Sequence, residues 1–312
     1  MRNDVEATYV HAEGLVKRYG ALTAVDGIDL RIVRGEAFGF LGPNAAGKSS
    51  VMRMIGCVSP VTEGLLRVFD TDIPGNESAI KQRLGVVPQD DSLDEDLTVH
   101  ENMIVYARYF GMSWRQARAK SVELLEFVHL NDRSGDKVAN LSGGMRRRLT
   151  MARALVSDPD MLLLDEPTTG LDPQARQAVW DRLHRLKSQG VTLVVTTHYM
   201  EEAEQLCDRL VIMDTGRIVA EGSPRELIER YSTREVVEIR ADSEVVARFG
   251  DRLSQLAKRV ETMRDRTLLY TDDGDRAAIE LVELGLTPEV LLVRRSGLED
   301  VFLRLTGRAL TD

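Results

Sequence analysis

The sequence is poor in cysteine and in aromatic residues. It has 2 cysteines and 5% aromatic residues among 312 residues. Cys57 and Cys207 lie far apart in the chain, each in apolar or helical surroundings. This favours two reduced core thiols, as in a cytosolic protein, over a disulfide or a metal site.

Long apolar runs and an excess of basic residues are also missing. No segment approaches the ~20 consecutive apolar residues of a membrane span, and the first residues, MRNDVEATYV, lack the apolar core of a signal peptide. We therefore expect any role at a membrane to depend on a partner. With 41 Lys and Arg against 50 Asp and Glu, the net charge is −9. This argues against nucleic acid as a partner.

The sequence does have the composition of a globular protein, 43% hydrophobic and 29% charged, and a length that predicts two domains. We place the boundary near Tyr231–Thr233, giving domains 1–232 and 233–312. Strands and helices alternate through most of the first domain, which predicts an α/β fold with a largely parallel sheet. Two amphipathic helical segments without a strand between them indicate a helical subdomain at about 98–158.

The pattern restarts in the second domain. Its predicted order is β-α-β-β-α-β followed by a helix, which is typical of an α+β, ferredoxin-like unit. The predicted strands are 235–241, 259–264, 267–272 and 289–295, and the predicted helices are 244–257, 275–286 and 296–310.

The loop GPNAAGKSS, residues 42–50, meets the phosphate-binding pattern G-x-x-x-x-G-K-[ST]. It follows a predicted strand at 37–41 and precedes a predicted helix at 48–57, so that backbone N–H groups and the helix N-terminus converge on a phosphate. Lys48 would then reach the β- and γ-phosphates, and Ser49 would bind Mg²⁺. The alternative is a glycine-containing turn with an incidental lysine.

A second chemical motif is MLLLDEP, an apolar strand that ends in Asp165 and Glu166. A carboxylate at the tip of a buried strand is well placed to hold Mg²⁺, and its neighbour can serve as general base for an attacking water. The alternative is an acidic pair that caps the next helix.

The third motif is LSGGM, residues 141–145, which opens a helix. Ser142, Gly143 and Gly144 at a helix N-terminus would form another anion site. On its own, this motif does not exclude an ordinary Ser-Gly N-cap.

Four further residues stand in recognisable short motifs: Tyr19 in KRYG, Gln89 in VVPQD, Asp172 in GLDP and His198 in VTTHYMEEAE. Each of them alone is more often structural. With the three motifs above, in this order, they make residues 9–231 resemble the ATP-binding-cassette (ABC) ATPases, the motor subunits of ABC transporters.

The resemblance implies a P-loop NTPase fold of the ABC ATPase type, with ATP and Mg²⁺ as cofactors. It also implies a head-to-tail pair of ATPase chains, in which the signature LSGGM of one chain contacts the ATP bound to the other. Tyr19 would stack on adenine, and His198 would contact the γ-phosphate. The residues implied are Glu166, His198, Gln89 and Lys48 for catalysis; Tyr19, Gly42, Pro43, Asn44, Ala45, Ala46, Gly47, Lys48, Ser49, Ser50, Ser142, Gly143, Gly144 and Asp172 for nucleotide binding; and Ser49, Gln89 and Asp165 for Mg²⁺.

Within this family, the chain resembles ATPases of drug and lipid exporters, of the daunorubicin-resistance and nodulation-factor types. The resemblance rests on LSGGMRRRLTMARAL, PTTGLDPQAR, MEEAEQLCDR and SGLEDVFLRLTG. It implies export of a drug, lipid or polyketide-like molecule through a separate multi-helix permease, with this chain at the cytoplasmic face of the membrane.

Ala45 departs from the family pattern, which usually has glycine at this position. If residue 45 needs a positive φ, alanine costs about 1 kcal/mol. If φ is negative, alanine is neutral or slightly stabilising. The departure bears on nucleotide affinity or rate and not on the fold.

Several functions stay open at this point. An importer ATPase has a similar motor domain. A soluble ABC ATPase of translation would carry two cassettes, and one of DNA repair would carry a long coiled coil. A nucleotide-binding regulator that does not hydrolyse ATP is disfavoured by Glu166 and His198. For residues 233–312 we expect a non-catalytic accessory domain that modulates association, the alternative being simple cover for the motor domain.

Overall fold

The computed structural model describes residues 7–241, 248–263 and 265–307. The described residues form two units, which divide between Glu221 and Gly222. The helix Pro224–Tyr231 belongs to the second unit, where it contacts the last helix. The predicted domain limit after residue 232 falls just beyond this helix and stays a prediction.

The first unit contains ten strands and seven α-helices in its described residues. The strands are β1 Thr8–Tyr19, β2 Leu22–Val33, β3 Ala37–Leu41, β4 Glu63–Val68, β5 Thr71–Asp72, β6 Leu84–Val87, β7 Met161–Asp165, β8 Thr192–Thr197, β9 Arg209–Asp214 and β10 Arg217–Gly222. The helices are α1 Lys48–Ile55, α2 Glu77–Gln82, α3 Val99–Tyr109, α4 Trp114–Phe127, α5 Gly143–Ala154, α6 Pro173–Ser188 and α7 Met200–Leu206.

A six-stranded sheet in the order β10-β9-β3-β8-β7-β6 lies at the centre of this unit. Strands β9, β3, β8, β7 and β6 pair in parallel, which confirms the predicted parallel sheet. Every residue of β3 and β8 is buried, as expected for strands covered on both faces. Because the strands are parallel, the segments after β3, β7 and β8 emerge at one edge of the sheet, where ligands bind in such folds.

A second sheet, in the order β2-β1-β4-β5, is antiparallel and was not predicted. The pairing of β1 with β2 contains register shifts near Thr8, Ala12, Leu15 and Lys17. Each shift interrupts the two-residue alternation of buried and exposed side chains from which a strand is recognised. One apolar core contains residues of this sheet, of α1 and of the central sheet, such as Leu30, Val51 and Phe38.

The helical insertion is confirmed. Segment 98–158, all of it described, contains α3, α4, α5, two short 3₁₀ turns and one isolated β-bridge. Capping boxes fix the starts of α3 and α4: Thr98 pairs with Glu101, and Ser113 with Gln116.

The second unit has the predicted ferredoxin-like topology. Its four-stranded sheet is antiparallel throughout, in the order β12-β13-β11-β14, and it has its own core around Val237, Ile239 and Leu269. Its elements are α8 Pro224–Tyr231, β11 Glu235–Arg240, α9 Gly250–Leu256, β12 Arg259–Thr262, β13 Thr267–Thr271, α10 Gly274–Glu283, β14 Val290–Arg295 and α11 Leu298–Thr306.

Parts of three predicted elements lie outside the described residues. These are residues 244–247 of the predicted helix 244–257, residue 264 of the predicted strand 259–264, and the end of the predicted helix 296–310 beyond residue 307. Among the helices that are described, none has the length and apolarity needed to span a membrane.

Candidate functional site

The glycine-rich loop joins β3 to α1, and α1 begins at Lys48. The Lys48 ammonium donates to the carbonyl oxygens of Gly42, at 2.7 Å, and of Pro43, at 2.9 Å. Lys48 is only 4% exposed. Burial lowers its pKa, opposed by the charges of Glu166 and Asp165. The loop is thus wrapped around the amino group that phosphates would contact.

Two glycines of the loop have no room for a side chain. A Cβ on Gly42 would lie 2.3 Å from the carbonyl oxygen of Met213, and one on Gly47 would lie 2.3 Å from that of Ala24. Gly47 also has φ +102°, a conformation that side chains rarely adopt. These contacts explain physically why the motif needs both glycines.

Ala45 has φ 65°, in the left-handed region. The question left open by the sequence is therefore answered in favour of a strained alanine, in a position where glycine would carry no steric penalty. Its side chain is exposed, so the methyl group gains little packing in return.

The carboxylate of Asp165, at the end of β7, faces the start of α1. The Ser49 hydroxyl donates to Asp165 Oδ1 at 3.2 Å, and the Thr196 hydroxyl of β8 donates to the same oxygen. A serine hydroxyl and a carboxylate held side by side are oxygen ligands of the kind that Mg²⁺ takes in nucleotide sites.

Glu166 occupies the centre of the site. It is 7% exposed and has φ 47°, an unusual conformation for a residue with a side chain. The Oε2 atom accepts from Gln89 Nε2 at 3.4 Å and from the Thr169 hydroxyl at 3.2 Å. The Nδ1 atom of His198 lies 3.1 Å from Oε1, so the tautomer protonated at Nδ1 donates to the carboxylate. The structure thus brings Glu166, Gln89 and His198 into direct contact from three separate segments.

Tyr19 lies at the end of β1, and its ring is accessible at the surface, with 43% exposure. The Lys17 ammonium lies 4.8 Å from the ring centroid. Burial raises the pKa of Tyr19, but hydrogen bonds with Ser59 and Ser50, together with the positive charges of Lys17 and Arg53, make the net shift downward. The contact with Ser50 places this ring beside the end of the glycine-rich loop, and its exposure leaves it accessible for stacking on a base.

The signature residues are not part of this cluster. Ser142 caps α5, its hydroxyl accepting from the Met145 N–H at 3.3 Å, and both Ser142 and Gly143 are exposed. Asp172 caps α6 in the same way, accepting from the Ala175 N–H at 2.9 Å. Within one chain, these hydrogen bonds of the Ser142 and Asp172 side chains join each side chain only to the first turn of its own helix.

Three residues of the site were not predicted. Thr196 contacts Asp165 and also accepts from the Glu166 N–H at 3.2 Å, Thr169 contacts Glu166, and Arg147 contacts the backbone of both acidic residues. Only Thr196 had a signal in the sequence: it stands in the motif VTTHYMEEAE, two residues before His198. Its pairing with Asp165 depends on β7 and β8 being neighbours in register.

A family model described as ABC transporter matches residues 25–169. A second model, described as the C-terminal domain of the nodulation factor export protein NodI, matches residues 245–307. The "Nod factor export ATP-binding protein I" of Burkholderia orbicola is 47% identical over 296 residues, covering 95% of this chain and 96% of that protein. The chain belongs to the ABC transporter ATPases of the Nod factor exporter type.

A second relative of this ATPase, the protein of the same name from Rhizobium meliloti, is 43% identical over 309 residues, covering 99% of this chain and 91% of that protein. Among solved structures, a dimeric ATP-binding cassette in a post-hydrolysis state, bound to ADP and Pi, aligns with a TM-score of 0.64 and 28% identity. It covers 69% of this chain and 98% of its own. The predicted family, fold and ATPase activity are confirmed.

Proposed function

We propose that this ATPase drives export through a separate multi-helix permease, and that two ATPase chains work as a head-to-tail pair at the cytoplasmic face of the membrane. The full-length relatives are named for Nod factor export, which supports export over import and over a soluble role in translation or repair. The cargo we propose is a drug- or lipid-like molecule of the class handled by such exporters.

Each ATP would lie between the glycine-rich loop of one chain and the signature of the other. Two observations support this arrangement. Ser142 and Gly143 are exposed at the start of α5, where backbone N–H groups and the helix dipole favour a phosphate. The similar solved cassette is dimeric and holds ADP and Pi. In this arrangement Tyr19 would stack on adenine, and Asp172 would lie near the interface.

The oxygen atoms around Ser49 and Asp165 fit a magnesium ion, with Gln89 as a further ligand. Mg²⁺ bound there would neutralise charge that develops on the phosphates. Lys48 would exchange its bonds to the Gly42 and Pro43 carbonyls for bonds to the β- and γ-phosphates, since its ammonium already lies inside the loop.

Glu166 is proposed as the general base. Its carboxylate would accept a proton from a water molecule while the water oxygen attacks the γ-phosphorus, and ADP would leave with the bridging oxygen. Gln89 and Thr169 hold one carboxylate oxygen, and His198 approaches the other, so the group is oriented before the reaction begins. This ring of contacts around a buried carboxylate is the observation that carries the proposal.

We propose that the permease docks in a groove of about 1050 Å³ between the helical insertion and the edge of the central sheet. The groove presents the side chains of Val58, which is 72% exposed, and of Tyr109, which is 81% exposed. Glu77 and Lys81 supply charges along its wall. The groove also includes Val86 of β6, three residues before Gln89. Docking of the permease there can therefore change the position of Gln89.

The test is Glu166→Gln, with Glu126→Gln on the exposed surface of α4 as matched control. We expect the first variant to bind ATP with nearly unchanged affinity, to lose steady hydrolysis by about 10²–10⁴-fold, and to accumulate as an ATP-bound dimer in size-exclusion chromatography. Glu126→Gln should hydrolyse ATP like the wild type. Normal turnover in Glu166→Gln would show that another group is the base.

A further inference from the structure

Arg147, in the second turn of α5, is a buried residue that contacts the backbone around Glu166. Its side chain is 7% exposed. The Nη2 atom donates to the carbonyl oxygens of Asp165 and Glu166, each at 3.0 Å, and Nε donates to that of Pro167 at 2.7 Å. One guanidinium therefore spans three consecutive carbonyl groups, those of the last residue of β7 and of the two residues that follow it.

The same guanidinium also contacts the segment that carries Gln89. Its Nη1 atom donates to the Gln89 carbonyl oxygen at 3.2 Å and to that of Pro88. Gln89 and Glu166 are 77 residues apart in sequence and meet through their side chains at 3.4 Å. Through its hydrogen bonds, Arg147 also connects the backbone of Gln89 with the backbone of Glu166.

The match between donors and acceptors is complete. A guanidinium has five N–H groups in a fixed planar fork, and here five carbonyl oxygens accept them. All five acceptors are neutral backbone groups, so the arginine is used for its geometry and not to pair with a carboxylate. Lysine, with three donors at a single point, cannot reach all five.

We propose that Arg147 is a positioning residue, which fixes the Glu166 and Gln89 backbones relative to each other so that the Glu166 carboxylate is aimed at the attacking water. The inference deepens the proposed function and rests on Glu166 being the base. The φ of 47° at Glu166 strengthens it, because a strained backbone persists only where its surroundings hold it. Arg147 bonds to the carbonyl groups of Asp165 and Glu166, which flank the Cα atom of Glu166, and these bonds stabilise the strained conformation.

The test compares Arg147→Lys and Arg147→Gln with Arg148→Lys. Arg148 is the next residue of α5, and it donates to the carbonyl oxygens of Val128 and His129, away from the catalytic cluster. The three side chains at position 147 offer five, three and two N–H donors. We expect kcat to fall in that order, by about 10- to 100-fold for Arg147→Lys and further for Arg147→Gln. Arg148→Lys should keep kcat within about twofold of the wild type.

Two readouts separate positioning from a general loss of structure. The Kd for ATP of both variants at position 147 should stay within about threefold of the wild-type value. When Glu166→Gln is added to Arg147→Lys, the ATP-dependent dimer should form as in Glu166→Gln alone, because the nucleotide contacts do not involve Arg147. Folding is checked by circular dichroism and by a single unfolding transition. If Arg147→Gln does not fold, the test of the positioning role depends on Arg147→Lys, which keeps the charge and most of the volume of arginine.

The inference is overturned if a folded Arg147→Lys protein turns over at the wild-type rate, if kcat and ATP affinity fall in parallel, or if neither variant folds, since Arg147 would then be purely structural. Failure of the proposed function looks different. In that case wild-type protein would not hydrolyse ATP, or Glu166→Gln would remain active, whatever is found at position 147.

Discussion

Replacing Ala45 by glycine isolates the cost of a single strained residue in the phosphate-binding loop. Ala45 has φ 65°, and an alanine in the left-handed region costs about 1–2 kcal/mol. Glycine removes that cost but gives the unfolded chain more freedom, which offsets about 0.4–1 kcal/mol. The side chain is exposed, so little packing is lost. We therefore expect Ala45→Gly to raise the free energy of unfolding by about 0.5–1 kcal/mol.

Ala46 provides the matched control in the same loop. It is 2% exposed and is not among the residues with positive φ, so Ala46→Gly relieves no strain, removes a buried methyl group and should lower the free energy of unfolding by about 1 kcal/mol. Urea denaturation without nucleotide measures both variants. An Ala45→Gly protein destabilised as much as Ala46→Gly would refute the reasoning.

The free energy of ATP binding to Ala45→Gly should differ from the wild-type value by less than about 1 kcal/mol, because the groups that cradle phosphate are backbone N–H groups. A hundredfold change in ATP affinity would show that residue 45 controls the loop geometry.

Further predictions concern the paired chains and the second unit. Lys48→Ala should weaken ATP binding in a nucleotide titration, because it deletes the charge inside the loop, whereas Ser142→Arg should leave binding to one chain intact and block dimer closure. Mixing the two variants should restore hydrolysis, since one composite site then has both Lys48 and Ser142; normal turnover by Ser142→Arg alone would remove the signature from the mechanism. In the second unit, Asp300 is 1% exposed and accepts from Arg294 at 2.7 and 2.9 Å. Asp300→Asn should therefore lower the free energy of unfolding by about 2–3 kcal/mol in a denaturant titration, against less than about 0.5 kcal/mol for the exposed Asp275→Asn; equal effects would mean that the ion pair contributes nothing.

The parts of the fold that could be predicted are those in which local sequence decides the structure. Strand β3 was predicted at its observed bounds because five apolar residues run directly into the Gly42 loop. The ferredoxin-like unit was predicted because its strands alternate and its helices are amphipathic between clear turns. The β1–β2 pairing was missed, since its bulges break the alternation on which a strand prediction depends.

In the site, single residues were predicted from motifs, and their contacts were not. The proximity of Glu166 and His198 follows from the order of strands in the sheet, which no local pattern specifies. The same holds for Thr196 and Arg147, whose partners lie on segments distant in sequence. The φ of Ala45 depends on how the loop closes around Lys48. The sequence alone therefore left both a positive and a negative φ open.

The backbone conformation of Glu166 bears on how this protein can be stabilised. Its φ of 47° is one that glycine or asparagine would adopt at lower cost. Since we propose Glu166 as the general base, we expect a screen for heat resistance alone to accept substitutions at position 166 that relax the backbone at the expense of turnover. We therefore expect directed evolution of a robust variant to need a selection for hydrolysis in every round.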